Sequence, residues 1–429
     1  MALYGGGMMK KKILLKAPLL TRSGYGEQSR FAFRALRSRP DLFDIYIQPL
    51  QWGSTSWMSG GDVERIWIDR CVEKTIAYIQ QGGQFDLSLQ VTIPNEWESL
   101  APINIGYTAG IETTKVSHQW IQKANEMNRI IVVSNHSKNV FEGTVYTAST
   151  RENPQQQFEL RTTTQIDTVN YPTKIFNELP KVDIDLDYEI NFLTVAQFGP
   201  RKNIPNTVKW FVEEFRDEKV GLVLKTNLAK NSLIDREQVH SELSNFLKTL
   251  GEKTCKVYLL HGDMEDDEMH SLYTHPKISA LLALPHGEGF GLPIFEACYS
   301  GLPVVCTGWS GQLDFLVDEK GRDNFYNVAY DISPVPDEVV WDAVLIKESM
   351  WAYARESSAK EQLRNCYNDL KDNIEDSVAA NSCEYATTVH DRFSEQKQNA
   401  LFVDSLIEFI QTKEEEAWRD ILDQVVEYD

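Results

Sequence analysis

The chain of 429 residues carries 43 Lys and Arg against 63 Asp and Glu, with 42% hydrophobic and 25% charged residues, an ordinary globular composition. That length argues for two domains of roughly 150–250 residues rather than one core, and the longest apolar stretches, such as Ile278–Pro285, stop short of the ~18 residues of a membrane span. No apolar segment before Lys10–Lys12 makes a secretion signal, and Cys71, Cys255, Cys298, Cys306, Cys366 and Cys383 show neither CxxC pairing nor metal-ligand spacing, so reduced thiols and a cytoplasmic protein, at most peripheral to a membrane, are expected.

Met1–Gly7 reads as a flexible leader. Lys12–Lys16 (KILLK) predicts a strand, Thr21–Gly26 a glycine turn and Glu27–Arg37 a helix, the opening of a doubly wound α/β domain. Strands follow at Phe43–Gln48, Asp86–Gln90, Ile103–Tyr107 and Ile130–Ser134, with helices at Val63–Gln80 and Lys115–Asn125. Residues 144–169 are β-prone and polar around Asn153-Pro154, the pattern of an inserted hairpin. Asn177–Glu189 reads as a linker. A second start, Ile190–Val195, runs into a turn at Gln197–Lys202. Helix Thr207–Arg216 and strands Val220–Lys225, Lys256–Leu260 and Ile278–Leu284 continue the alternation, and Phe393–Val426 is mostly helical. The fold class is therefore α/β, with two Rossmann-like domains over 1–176 and 190–400, a linker at 177–189 and a C-terminal helix at 401–429 that crosses back to the first domain.

Charge divides unevenly. Residues 1–176 hold 19 basic against 16 acidic side chains, and 177–429 hold 24 against 47. Lys10–Arg39 contains nine basic residues and one acidic, Glu27. Arg30, Arg34 and Arg37 fall on one helical face. Three readings stay open for 10–39: contact with an anionic membrane, a grip on a polyanion, or a solvated face.

The chemistry concentrates in residues 284–316, LPHGEGFGLPIFEACYSGLPVVCTGWSGQLDFL. An apolar strand ends at Leu284, a loop with Gly287, Gly289 and Gly291 follows, and Pro293 suits the first turn of a helix that continues through Ile294–Tyr299. Strand end, glycine amides and helix N-terminus together make an anion site. Glu288 and Glu296, eight apart, can hold different parts of one elongated ligand. A loop glutamate beside a phosphate is repulsive unless it bonds neutral hydroxyls, which a sugar or ribose supplies.

Glu288–Val305 closely resembles the EGFGLPxxEAxxxGxPVV signature, with its Glu-x7-Glu pair, of the retaining GT-B-fold glycosyltransferases of the family 4 type, the group 1 glycosyltransferases. Gly199–Asn203 (GPRKN) resembles that family's Arg-Lys pair. Ile105–Phe141 resembles its N-terminal domain, with a loop on the acceptor side and a Trp-bearing helix. The resemblance implies two Rossmann-like domains facing across a cleft, the first on the acceptor side and the second binding the nucleotide. It implies a nucleoside diphosphate sugar, UDP- or GDP-linked, as donor, and a glycan, lipid-linked sugar or other hydroxyl as acceptor, with configuration retained and no cofactor or metal. Asp183-Ile184-Asp185 has the spacing of a metal motif but sits in the linker.

The implied roles give Arg201, Lys202 and Glu288 to catalysis, the cations on the leaving diphosphate and Glu288 on sugar hydroxyls. Donor contacts fall to the backbone amides of Gly289, Phe290, Gly291 and Leu292, to Glu296 on the ribose, to Lys225 at a strand end and to Gly24 in the first glycine turn. Glu112, with Arg30 and Arg34, stands on the acceptor side. Several relatives place a His of the first domain near the donor sugar, and His118 and His136 are the choices here. A nicotinamide dehydrogenase falls for want of a GxGxxG with its acidic partner. A phosphorolytic enzyme stays distant. A non-catalytic sugar-nucleotide sensor and transfer to a polyanion such as hydroxylated nucleic acid are the alternatives.

Overall fold

The computed structural model describes residues 10–53, 55–58, 60–149 and 155–423, so the expected leader Met1–Gly7 and the Asn153-Pro154 tip lie outside the described residues. The first sheet uses β1 (Lys11–Ala17), β2 (Phe43–Pro49), β3 (Leu87–Val91), β4 (Ile103–Thr108), β5 (Arg129–Val132) and, after a hairpin of β6 (Tyr146–Ser149) and β7 (Gln157–Leu160), β8 (Ile166–Thr168). Its helices are α1 (Gly24–Arg37), α2 (Val63–Gln80), α3 (His118–Glu126) and α4 (Asn135–Gly143). The second sheet uses β9 (Asn191–Val195), β10 (Gly221–Lys225), β11 (Lys256–Leu260), β12 (Ala280–Ala283), β13 (Val304–Thr307) and β14 (Tyr326–Val328). Around it lie α5 (Ile204–Glu214), α6 (Leu233–Thr249), α7 (Asp266–Tyr273), α8 (Leu292–Tyr299) and the short α9 (Leu313–Leu316). An antiparallel pair, β15 (Tyr330–Pro334) and β16 (Met350–Ala354), precedes α10 (Glu356–Asp372), α11 (Val378–Arg392) and α12 (Glu395–Asp423).

Both six-stranded sheets are parallel throughout. Their strands are nearly continuous apolar runs because helices cover both faces: β3, β5 and β13 are buried along their whole length. The orders differ. The first sheet runs β2-β1-β3-β4-β5-β8 and reverses between β1 and β3; the second runs β11-β10-β9-β12-β13-β14 and reverses between β9 and β12. Ligands of open α/β sheets bind beyond the carboxyl ends of strands at such a reversal. In the second sheet those two ends lead into Arg201-Lys202 and into Glu288.

Local details follow from single residues. α1 begins at Gly24 rather than Glu27 because the Ser23 hydroxyl caps it, accepting from the Gly26 amide at 3.0 Å. The hairpin is narrower than 144–169, since β8 leaves it to pair with β5 in the main sheet. α12 lies along α1, where the Phe402 ring meets Phe31 and Tyr107 at 5.5 and 5.3 Å. Tyr171 meets Phe290 at 5.1 Å, so one apolar core runs from the first sheet through the segment before the linker to α8.

Candidate functional site

The loop after β12 and the turn after β9 bring four charged side chains together. Arg201 sits in a single 3-10 turn, Pro200–Lys202, that Pro200 starts and Asn203 ends in a left-handed conformation. Its guanidinium is fixed on three acceptors: Nη1 donates to the Gly287 carbonyl at 2.6 Å and meets Glu288 Oε2 at 3.0 Å, while Nε meets Glu112 Oε2 at 2.9 Å. The Lys202 ammonium closes on Glu288 Oε1. Glu112 belongs to the loop after β4, so the cluster joins the two domains.

Burial and charge compete at each member. Burial pushes the Glu288 carboxyl up, but Arg201 and Lys202 outweigh it and hold the group below its usual range. For Glu112 burial prevails over Arg201, and its carboxyl is raised. Burial lowers Lys202, incompletely offset by Glu288, whereas Glu112 and Glu288 keep Arg201 raised despite burial. Two cations and two carboxylates share one partly closed site.

The glycines fit two tasks. A Cβ at Gly287 would lie 2.1 Å from the Glu112 carbonyl oxygen and one at Gly289 1.9 Å from that of Ala109, so both let the loop approach the first domain's backbone. Gly291, at φ 92°, is the left-handed residue that turns the chain into α8. Ser134, after β5, donates to the Gly289 carbonyl at 2.5 Å. The Ser310 hydroxyl accepts from the Glu288 amide at 2.9 Å, and the Gly311 amide donates to the Glu288 carbonyl at 2.9 Å, which fixes the backbone that carries the carboxylate.

Glu296 stands elsewhere. One turn into α8, its Oε2 accepts from the Tyr273 hydroxyl at 3.0 Å and it lines a small cavity with Lys174, Asp266, His270 and Tyr299. Burial, only partly countered by Lys174, pushes its carboxyl up to about 7. Lys174 bridges Glu27 at 3.1 Å and Asp266 at 2.8 Å, joining the first domain to α7. Arg22 adds a second bridge, to Glu265 at 2.5 Å. Gly24 begins the helix just beyond Arg22 and Ser23 and has open space around it.

Phe290 keeps its ring buried against Tyr171, Phe295 and Phe315 and leaves its backbone to the loop, the part of the residue from which a donor contact is expected. Arg30 and Arg34 are not an open basic face. Arg30 donates to the Leu19 and Thr21 carbonyls at 2.9 and 3.0 Å and pairs with Glu27, and Arg34 spans Glu27 at 2.6 Å and Glu64 at 3.3 Å. The one acidic residue of the segment, Glu27, gathers its neighbours' charge inward. Lys225 reaches the Gly262 carbonyl at 2.5 Å and, among the described residues, shares no hydrogen bond or ion pair with the Arg201 cluster. Leu292, the first residue of α8, is half-buried beside the loop.

Of the two histidines, His118 is exposed at the start of α3 with its ring edge on Tyr146. His136 packs edge-on against Trp309 of the second domain at 4.9 Å, has a buried Nε2 with no partner, and is lowered by burial to about 4. Residues missed in the sequence are Lys174, Ser310 and His286. His286 is tied to β16 by paired bonds with Ala352 at 2.9 Å each and stacks on Trp351. Lys174 carries no motif. Ser310 lies between Gly308 and Gly311, which pack tightly against Asn327 and the Gly289 backbone, and it takes a left-handed φ of 84°. Among the described residues no three of His, Cys, Asp and Glu converge as a metal-binding group, and no helix is long and apolar enough to cross a membrane.

Residues 180–325 match the family model described as glycosyl transferases group 1. Over 118 residues the chain is 30% identical to the serotype-specific mannosyltransferase WbdA of Escherichia coli, a stretch that is 27% of this chain and 13% of that protein. The chain thus spans only a small part of that relative. Among solved structures the fold is similar to Anabaena HepE in complex with UDP and glucose, with TM-score 0.56 and 13% identity over 93% of this chain and all of that one. It is likewise similar to sucrose-phosphate synthase from Thermosynechococcus elongatus, with TM-score 0.58 and 12% identity over 94% of this chain and all of that one. The two facing Rossmann-like domains are the GT-B arrangement.

Proposed function

We propose that this chain is a group 1 glycosyltransferase and moves a sugar from a nucleoside diphosphate sugar to an acceptor hydroxyl with retention of configuration. The observation that carries the reading is the Glu288 carboxylate, buried and held ionised between Arg201 and Lys202 at the reversal point of the second sheet.

As the bond to the sugar breaks, charge builds on the departing diphosphate. Arg201 and Lys202, with the backbone amides at the start of α8, stand where that charge would be met, so they favour the transition state over the ground state. Glu288 accepts sugar hydroxyls and is spared repulsion by the cations beside it. Glu296 accepts the ribose hydroxyls. The resemblance to the family implies attack from the face of the leaving group, whose phosphate oxygen takes the acceptor's proton. Glu112 and His136, from the first domain, border the acceptor side. UDP in the HepE complex supports uracil as the base, and the mannosyltransferase WbdA supports a hexose as the group moved. The acceptor reading is a glycan or lipid-linked sugar. Arg30 and Arg34 give a polyanionic acceptor no free charge.

A thermal-shift panel of UDP, GDP, ADP and their sugars tests the donor site, because a ligand that binds only the folded chain stabilises it by about 2.7 kcal/mol at a hundredfold excess over Kd. One diphosphate should raise the melting temperature in the wild type and fail to do so in Arg201→Gln/Lys202→Gln. Equal response of both proteins, or none in the wild type, would remove the assignment.

A further inference from the structure

The loop after β2 has a composition of its own. Residues 51–61 read QWGSTSWMSGG, two tryptophans among hydroxyl, amide and glycine residues with no charged side chain. The loop stands at the carboxyl end of the first sheet, beside the reversal between β1 and β3. There the Leu50 amide donates to the Ala17 carbonyl at 3.0 Å, the Met58 amide to that of Leu20 at 2.9 Å and the Arg22 amide to that of Ser56 at 2.8 Å. Trp57 and Thr21 form an antiparallel bridge, so their side chains leave on one face. The Thr21 hydroxyl lies 2.9 Å from that of Ser23, the cap of α1, which sets Trp57 beside the glycine turn, where Gly24 has open space around it.

Trp52 lies on the Tyr25 ring, with centroids 4.2 Å apart. The Tyr25 hydroxyl bonds that of Thr108 at 2.8 Å and accepts from the Ala109 amide at 3.3 Å, and a Cβ at Gly110 would come within 2.9 Å of it. Trp52 and Tyr25 thus tie this loop to the one after β4 that carries Glu112. The guanidinium of Arg22 reaches Glu265 at the start of α7, so the tryptophan loop also borders the second domain. Trp57 is 45% exposed and, among the described residues, no other ring or cation lies over it, whereas the exposed Trp67 carries Arg37 at 4.3 Å.

We propose that this loop is part of the acceptor subsite and that its ligand is an uncharged sugar ring laid on the Trp57 indole; the proposal rests on the glycosyltransferase reading above. A pyranose shows apolar C–H groups on its faces and hydroxyls around its rim. An indole covers the faces, and neutral Ser, Thr and Gln side chains bond the rim. Charge disfavours an anionic ligand. Lys16, Arg22 and Arg30, the cations at this end of β1 and α1, are already paired with Glu98, Glu265 and Glu27. A sulfate or phosphate group would meet those carboxylates with no free cation to offset them.

An array of immobilised neutral, sialylated and sulfated oligosaccharides, probed with the full chain in the presence of UDP, tests the assignment. The wild type should retain neutral, hexose-bearing glycans over the anionic ones. Trp57→Ala should weaken that retention roughly tenfold, the scale of uncovering one sugar face, and Trp57→Phe, which keeps a ring, should restore most of it. Melting temperatures of both variants should match the wild type, since the indole is exposed. No neutral glycan held by the wild type, or equal retention by Trp57→Ala, overturns the proposal. So does a preference for the anionic glycans, or for phosphatidylglycerol vesicles, that is lost with Trp57. The rise in melting temperature on adding UDP, read on the same proteins, separates the two readings. A UDP response lost in Trp57→Ala would assign the indole to the donor and overturn the subsite. Neutral glycan held through Trp57 by a chain that answers no nucleotide would keep the subsite and defeat the donor assignment instead.

Discussion

Glu288 and Glu296 lie eight residues apart in one motif and meet opposite fates. Both are taken out of water, which favours the neutral acid. Glu288 touches two cations, and its carboxyl stays below the usual range. Among the described residues the cation near Glu296 is Lys174, which is already bound to Glu27 and Asp266, and the carboxyl rises to about 7. The two positions therefore suit different partners. Glu288, held in its charged form by Arg201 and Lys202, is suited to accept hydroxyl bonds. Glu296 is poised to ionise when hydroxyl donors arrive.

The largest effect should come from breaking the first environment. Arg201→Gln removes the cation that touches Glu288, Gly287 and Glu112 at once. Turnover of the donor should fall by about 10²–10³, the scale of losing one preorganised donor at a developing anion. Steady-state rates at saturating donor check this. A rise in KM with kcat unchanged would mean that Arg201 binds ground state and transition state alike.

A smaller effect, with a pH signature, should come from the second environment. With the folded carboxyl of Glu296 near 7 and its ordinary value at 4.5, both states hold the proton below 4.5. Between 4.5 and 7 the unfolded chain ionises while the folded chain keeps its proton, so this group's stabilising contribution is lost as pH rises through that window. Glu296→Gln should remove that slope from denaturant titrations. Nucleotide affinity should run the other way, since ribose hydroxyls bond best to the carboxylate. Calorimetric titration should find wild-type affinity rising through pH 7 and the variant's loss, roughly tenfold or more, confined to the alkaline side. An equal loss at about pH 5.5 and pH 8 would show that charge at Glu296 does not matter.

The sheets and the motif were legible because both rest on local pattern. Apolar runs of four to seven residues gave β1, β3, β4 and β9 to within a residue or two, since strands buried on both faces leave no alternation to confuse. Arg201, Lys202 and Glu288 are singled out through the resemblance of Gly199–Asn203 and Glu288–Val305 to the family's motifs, and the structure brings the three side chains together. Where each charge finds its partner was not legible. Nothing in the string around Arg30 and Arg34 tells that Glu27 stands between them and draws Lys174 in from 147 positions further on. Helix periodicity placed these arginines on one face and could not say that α12 and Glu64 lie over it. The β15–β16 pair was missed for the same reason: its value lies in supporting His286 from 66 residues away.

The smallest expected effect concerns Glu112, which decides whether the first environment is neutral or positive before the donor arrives. Arg201 and Lys202 are balanced by Glu288 and Glu112, so an incoming diphosphate meets a site without net charge. Glu112→Gln keeps an oxygen that accepts from Arg201 Nε but deletes one negative charge. Affinity for a nucleoside diphosphate should therefore rise, by roughly two- to fivefold, because a half-buried charge at this range acts through a fairly high effective dielectric. Burial raises the Glu112 carboxyl, so lowering the pH protonates it early and mimics the substitution. The advantage of Glu112→Gln should accordingly shrink toward acidic pH and be full at neutral pH. Titration of the nucleotide at several pH values checks both parts. Weaker binding by the variant at every pH would mean that the carboxylate's grip on Arg201 outweighs its repulsion of the diphosphate, and that the guanidinium needs the first domain to hold it in place.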